Sequence, residues 1–335
     1  MFRKIRKYER INVLKNLIKK IVSKILKVPF DWLSYFYRQA KRMYWFSSAS
    51  KKEDDIELVV TKLRVLTHEI DKGLSMPEPR KGFGKEKINL ILHYMRKYLE
   101  SNSFYEYSAY LDAREILERY IEAKEQYELD VSMIKLTEFP VDFVKARGRI
   151  SSCDRRIVNN CENLNFKQIA EVRHSVRYFK KDCKVDDEIF KEAVKIARLA
   201  PSACNRQSVR VKLINDKCIA EKILEIQGGT KGFANTENCV LIIADLYSYW
   251  YDAEMNTAFV DAGIFMMNLI YALKYKGIDS CPLIWDDNLQ KREELNKILG
   301  LESNYMIVSI LAVGYANEKA KILYSPRKDV ESIIL

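Results

Sequence analysis

Two short stretches concentrate side chains able to bind a charged, planar ligand. The first is Arg173-His174-Ser175-Val176-Arg177, with two guanidiniums, an imidazole and a hydroxyl in five residues. A guanidinium is a rigid fork of donors matched to phosphate oxygens, and a hydroxyl adds a further hydrogen bond. On spacing alone the stretch reads equally as a solvated basic turn. The second is Ala200-Pro201-Ser202-Ala203-Cys204-Asn205-Arg206-Gln207. It follows a helical pattern that Pro201 ends, its small residues let backbone approach a flat ligand, and Asn205 and Gln207 offer amide donors and acceptors.

Other chemistries leave no signature. No GxGxxG follows a strand pattern and no GxxxxGK[ST] occurs, so Gly228-Gly229-Thr230-Lys231-Gly232 reads as a loop. The three histidines, at 68, 93 and 174, form no HExxH and no cluster with cysteine that suggests a metal site. Seven cysteines at wide spacings, without CxxC, are not a disulfide framework and suit a reducing compartment.

The elements that must position these stretches read as follows. Helical patterns run over about 55–73, 86–100 and 104–126, and the segment His68 to Gly84 between the first two reads as a loop. It holds three of the eleven glycines and two of the seven prolines, so it has a defined shape. It is either a structured helix–helix connection or, through its His, Glu, Asp, Lys and Arg, a small-molecule site. From 166 onward a short helix leads to Arg173 and a second covers Asp186–Leu199, with Asp186 or Asp187 near its N-cap. Continuous apolar runs predict buried strands at Val209–Ile214, Val240–Asp245, Ile278–Ile284 and Met306–Val313, with helices at about 253–276 and 287–299.

Charge is unevenly placed. The 335 residues carry a net +11, but residues 1–52 alone hold fifteen Lys and Arg against two acidic residues, and the remainder is close to neutral. Nucleic-acid binding would have to reside in those 52 residues and is not favoured. Ile11, Leu14, Leu17, Ile18, Ile21, Ile25 and Val28 recur at helical spacing opposite a lysine face, and Pro29 ends the pattern. The aromatics Phe30, Trp32, Tyr35, Phe36, Tyr37, Tyr44, Trp45 and Phe46 follow. Such a segment suits an anionic membrane surface or the protein's own body. No run reaches 18 consecutive apolar residues. The expected organisation is a basic amphipathic segment at 1–52, a helical domain at 53–165 and an α/β or α+β domain at 166–335.

The two stretches, in this order and about 25 residues apart, resemble the nitroreductase family of FMN-dependent oxidoreductases. Asp261-Ala262-Gly263 at the start of an apolar helix, Lys276-Gly277-Ile278-Asp279-Ser280-Cys281-Pro282-Leu283, Ser309 to Tyr315 and Ser325-Pro326-Arg327-Lys328 are similar to later elements of that family. The resemblance covers about residues 166–335. It implies an α+β sandwich, a mixed sheet flanked by helices, built as a homodimer with FMN at the interface and preceded here by an all-helical N-terminal domain. Arg173, His174, Ser175 and Arg177 would hold the phosphate and ribityl chain, with Arg327 as a further phosphate partner. Pro201, Ser202, Ala203, Asn205 and Gln207 would line the ring from the opposite subunit, and Ser280, Cys281, Pro282 and Leu283 would face its edge around N5. Hydride would pass from NAD(P)H through flavin N5 to a small-molecule acceptor in ping-pong order, with no amino-acid nucleophile.

The sequence departs from the family where Ser208 and Val209, rather than Pro-Trp, follow Gln207. Lys217, Lys222 and Asn238 are candidates for the pyrimidine edge. The N-terminal half is similar to extensions of members associated with surface-polysaccharide synthesis, with His68–Gly84 as the point of likeness. The expectation is therefore a cytoplasmic flavoenzyme, peripheral to the inner face of a membrane. The alternative is a redox-inactive, membrane-peripheral scaffold.

Overall fold

A computed structural model of the chain describes residues 19–46, 51–142, 157–159, 161–249, 254 and 256–334. The apolar positions Ile11 to Ile18 and Cys153 lie outside the described residues. Residues 19–26 are helical, Lys27 turns the chain at φ 54°, and helix α1 (Phe30–Phe46) carries the aromatic segment.

Three helices then build a layer around one core. They are α2 (Ile56–Leu74), α3 (Lys85–Glu100) and α4 (Tyr107–Glu122), followed by the single turn α5 (Lys124–Tyr127). Val59, Leu63, Leu66, Ile70 and Leu74 make a stripe at three- and four-residue steps along α2. It packs on Ile88, Ile91 and Met95 of α3 and on Ala109, Ala113, Ile116 and Leu117 of α4. Tyr110 stacks between Tyr98 and Tyr107 at centroid distances of 5.2 and 5.5 Å. This corrects one expectation: His68 to Leu74 are not loop but the last two turns of α2, because Ile70 and Leu74 continue its buried stripe. The connection is Ser75 to Gly84. Gly84, at φ 88°, lies where a Cβ would come within 2.8 Å of Ile70 Cδ1.

The remaining elements form a sandwich. They are α6 (Phe166–Val172), α7 (Asp187–Ala197), β1 (Val209–Ile214), α8 (Lys217–Gln227), β2 (Asn238–Asp245), α9 (Thr257–Tyr275), β3 (Asp279–Ile284), α10 (Leu289–Leu299) and β4 (Tyr305–Gly314). The strand order is β1-β2-β4-β3 and every named pair is antiparallel. Parallel pairing enters at isolated bridges, of which Ser175 with Ser280 adds the basic pentapeptide to the β3 edge. Side chains alternate along β2. Leu241 and Ile243 face the core with Ile223 and Leu224 of α8 and Leu295 of α10, while Val240 and Ile242 face Ala193 of α7 and Leu269 and Leu273 of α9.

Two further differences have local causes. β1 is an edge strand with Arg210 and Lys212 exposed, not a fully buried one. Helix α8, capped by the Asp216 side chain on the Ile219 amide, is absent from the sequence reading because its buried positions, Ala220, Ile223, Leu224 and Gln227, are few and one is polar.

Candidate active site

The pentapeptide is held by β3 rather than by a helix. Asn165 and Gln168 close a capping box at the start of α6, and α6 delivers Arg173 in extended conformation. The Val176 amide then donates to Ser280 O at 3.1 Å, and the Ala234 amide donates to Arg177 O at 3.0 Å. The motif is thereby sewn between β3 and the segment before β2. β3 is fixed in turn at its first residue: Lys274 Nζ meets Asp279 Oδ1 at 2.7 Å in a buried ion pair, and Asp279 Oδ2 accepts from the Ala316 amide at 3.2 Å. Gly277 makes the turn from α9 into β3 at φ 77°, where a Cβ would stand 2.9 Å from Asn159 O.

Arg177 is 8% exposed. Its Nη1 donates to Ser175 O at 3.1 Å and its guanidinium lies 5.7 Å from the Phe233 ring centre. Its Nε is buried without a hydrogen-bond partner. No ion pair to Arg177 occurs among the described residues. A buried cation left so costs stability unless an anion from outside completes it. His174, Ser280 and Cys281 are buried beside it, Arg173 and Ser175 partly so. Burial pushes the Cys281 thiol up, while Arg177, a Ser175 hydrogen bond, Lys72 and Arg173 pull it back, so these groups share one electrostatic environment. Pro282 is exposed and Leu283 buried on the same strand.

The second stretch lies elsewhere. It precedes β1, whose Val209 pairs with Ala244, opposite Met306 of β4. Ser280 pairs with Val313, at the other end of β4 and on the other edge of the sheet. Strand spacing puts the two about 14 Å apart across the sheet and about 23 Å along it. One chain therefore holds the two candidate stretches at diagonal corners and does not bring them into one cavity. Pro201, Ser202 and Gln207 instead line a cavity of about 150 Å³ with Asp261 and Phe265. The loop is tightly built: Cys204, Asn205 and Gln207 have φ of 49°, 54° and 49°. The Ala203 amide donates to Asp261 Oδ1 at 3.0 Å, the Gln207 amide to Ser202 Oγ at 3.0 Å, and Arg206 forks onto Glu254 at 2.6 and 3.0 Å.

Arg327 is exposed and donates to Ser325 O. It lines a cavity of about 310 Å³ with Arg64, His68, Asp71 and Arg119, at the seam between the helical layer and the C-terminal tail. No described contact joins it to Arg173 or Arg177. Lys217 is bonded to Glu237 at 2.6 Å, and Asn238 holds Cys183 O at 3.0 Å, so both are spent on local structure; Lys222 lies in a groove between α8 and α10.

Sequence reasoning did not foresee the approach of α2. Lys72 Nζ donates to Gly229 O at 3.3 Å and stands 5.4 Å from the Phe233 ring centre, the ring that Arg177 also meets. Burial first, then Arg177, hold the Lys72 ammonium and the His68 imidazole below their ordinary values. The only sequence signal was the density of charged residues in 68–72, which gave no direction.

The Nitroreductase family profile matches residues 170–315. A protein of Archaeoglobus fulgidus, provisionally named NADH dehydrogenase/NAD(P)H nitroreductase, is 26% identical over 149 residues, 44% of this chain and 83% of its own. Protein DrgA of Synechocystis is 29% identical over 177 residues, covering 44% of this chain and 82% of its own. Among solved structures, an FMN-dependent nitroreductase of Clostridium difficile matches with a TM-score of 0.40 at 24% identity, over 49% of this chain and 93% of its own.

Proposed function

We propose that residues 170–315, a nitroreductase-family region of oxidoreductase type, bind FMN and carry electrons from NAD(P)H to a small-molecule acceptor. The observation that carries this reading is Arg177, a buried guanidinium with an orphaned Nε and no carboxylate among the described residues. When bound, FMN would supply the two-electron chemistry between donor and acceptor in successive half-reactions. The chain's own part is to bind and orient. Arg173, Ser175 and Arg177 would donate to anionic oxygens, and the β3 edge at Ser280 is bonded alongside them. Pro201, Ser202, Ala203 and Asn205 act in the other copy's cleft, which the diagonal placement of the two stretches favours. Helix α9 supports that pairing, because it leaves Phe259, Val260, Ile264 and Met267 exposed for a second copy to cover.

The test is an absorbance spectrum of the purified protein followed by anaerobic addition of NADH or NADPH. Yellow protein that bleaches supports cofactor and donor together. Colourless protein that takes up no added FMN removes the reading.

A second observation bears on location. The basic stretch from 19 to 46 leaves Ile21, Ile25, Leu26, Phe36, Tyr37 and Tyr44 exposed. Apolar and aromatic side chains amid lysines favour contact with an anionic membrane surface. Six free cysteines among the described residues suit a cytoplasmic setting. A role near surface-glycan assembly fits that placement, as does a scaffold that has lost redox activity. The bleaching experiment separates the enzyme from the scaffold.

A further inference from the structure

The helical layer pairs its cations with care. Arg64 meets Glu106 at 3.0 Å and Asp112 at 3.5 Å, Lys87 meets Glu69 at 2.9 Å, and Arg119 meets Asp71 at 2.7 Å. Lys72, on the same helix as Arg64, is different. Its hydrogen bond goes to the Gly229 carbonyl and its charge stands over the Phe233 ring, and no ion pair to it occurs among the described residues. Acidic residues are close in sequence, at Glu69 and Asp71, yet α2 turns them elsewhere: Glu69 takes Lys87, and Asp71 takes Arg119 and the Tyr324 and Ser325 amides.

Lys72 and Arg177 thus come from separate parts of the chain, share one aromatic ring and bring two positive charges together without a carboxylate between them. Like charges so placed repel in a partly desolvated cleft, and the arrangement gains only when an anion joins it. The Lys72 ammonium stands over the ring with three donors, of which the Gly229 carbonyl uses one.

We infer that Lys72 is a cofactor-positioning residue supplied by the helical extension. With Arg177 it holds an anionic or electron-rich group of FMN, either the phosphate or the pyrimidine edge of the ring. This rests on the FMN reading above and adds to it that the N-terminal helical layer is part of the cleft.

The test compares full-length wild type, Lys72→Met and Lys72→Arg, stripped of flavin and titrated separately with FMN and riboflavin. The midpoint potential of the bound flavin is then measured. Methionine keeps an unbranched side chain and removes the charge, and thermal melting checks that it folds; Lys72→Gln replaces it if it does not. If Lys72 holds the phosphate, Lys72→Met weakens FMN at least tenfold, leaves riboflavin unchanged, and Lys72→Arg restores most of the loss. If it faces the pyrimidine edge, both flavins bind nearly as before and the potential moves to more negative values, again with rescue by arginine. Wild type that binds FMN alongside a Lys72→Met variant with unchanged affinity and potential overturns the inference alone. Wild type that binds neither flavin overturns the cofactor reading and the inference with it.

Discussion

Val176 donates its amide to the carbonyl of Ser280 at 3.1 Å, so the basic pentapeptide and the β3 edge form one rigid unit. Everything proposed for the cleft depends on that bond. It places Arg177 beside Cys281 and under Phe233 before any ligand arrives, and that pre-organisation lowers the ordering cost of binding.

Arg177 therefore separates binding from folding. Replacing it with methionine removes a buried charge whose Nε has no partner. Apo-protein stability is expected to stay level or rise, whereas FMN affinity should fall about 10- to 100-fold, the value of one charge-assisted hydrogen bond. Thermal melting without flavin and fluorescence titration with FMN measure the two effects. A large loss of apo stability would show that the guanidinium serves the fold instead.

Asp71 bolts the C-terminal tail to the helical layer. The carboxylate is buried, takes Arg119 at 2.7 Å, and accepts from the Tyr324 and Ser325 amides at 3.3 and 3.1 Å. Asp71→Ala leaves Arg119 and two amides short of an acceptor and is expected to cost about 3 kcal/mol. Denaturant unfolding gives the magnitude. Faster amide exchange at residues 323–328 would locate it.

Acid should loosen the same tail. Burial alone would raise the Glu106 carboxyl, but hydrogen bonds from Lys328 and Arg64 outweigh it and hold the group below its ordinary value of 4.5. A carboxylate lowered in the folded state stabilises fully above that ordinary value, and the contribution is lost as pH falls through the lower folded one. Tail protection is therefore expected to hold at pH 6 and decline below about pH 4.5. In Glu106→Gln it should be weak at both, as limited proteolysis at the two pH values would record.

Helix α9 predicts an oligomer. Ile264→Asp together with Phe259→Asp puts two charges on the exposed apolar face. Sedimentation should report a dimer for the wild type and a monomer for the variant, and the monomer should release FMN. A monomeric wild type that retains FMN would dissociate the two ideas.

The basic N-terminal stretch predicts salt-sensitive binding to vesicles containing anionic lipid, abolished by removing residues 1–52. Equal binding by the truncated protein would assign the exposed Ile25 and Tyr37 to some other contact.

Much of the sandwich was legible from the chain. β2 and β4 are buried on both faces; the run from Val240 to Ala244 is wholly apolar, and the run from Met306 to Val313 is broken only by Ser309. β1 reads as a buried strand of the same kind, yet Arg210 and Lys212 alternate with its apolar residues, the period-two pattern of a strand with one exposed face. The charged run His68 to Lys72 reads as loop because its apolar partners, Leu66, Ile70 and Leu74, are spaced to fill a core that only α3 and α4 define. Ser175 and Ser280 are far apart in sequence, and no periodicity foretells their bridge. The same holds for Lys72, whose role depends on where Phe233 lands.

The diagonal placement of Arg173–Arg177 and Pro201–Asn205 has a genetic consequence if each cleft takes one stretch from each copy. A chain disabled at Arg177 and a chain disabled at Asn205 would each be inactive alone. Co-expressed, they would form mixed pairs in which one cleft gathers both defects and the other gathers none. Two dead alleles would then restore a yellow, reducible protein at a fraction of the normal yield, a rescue impossible for a cleft made within a single chain.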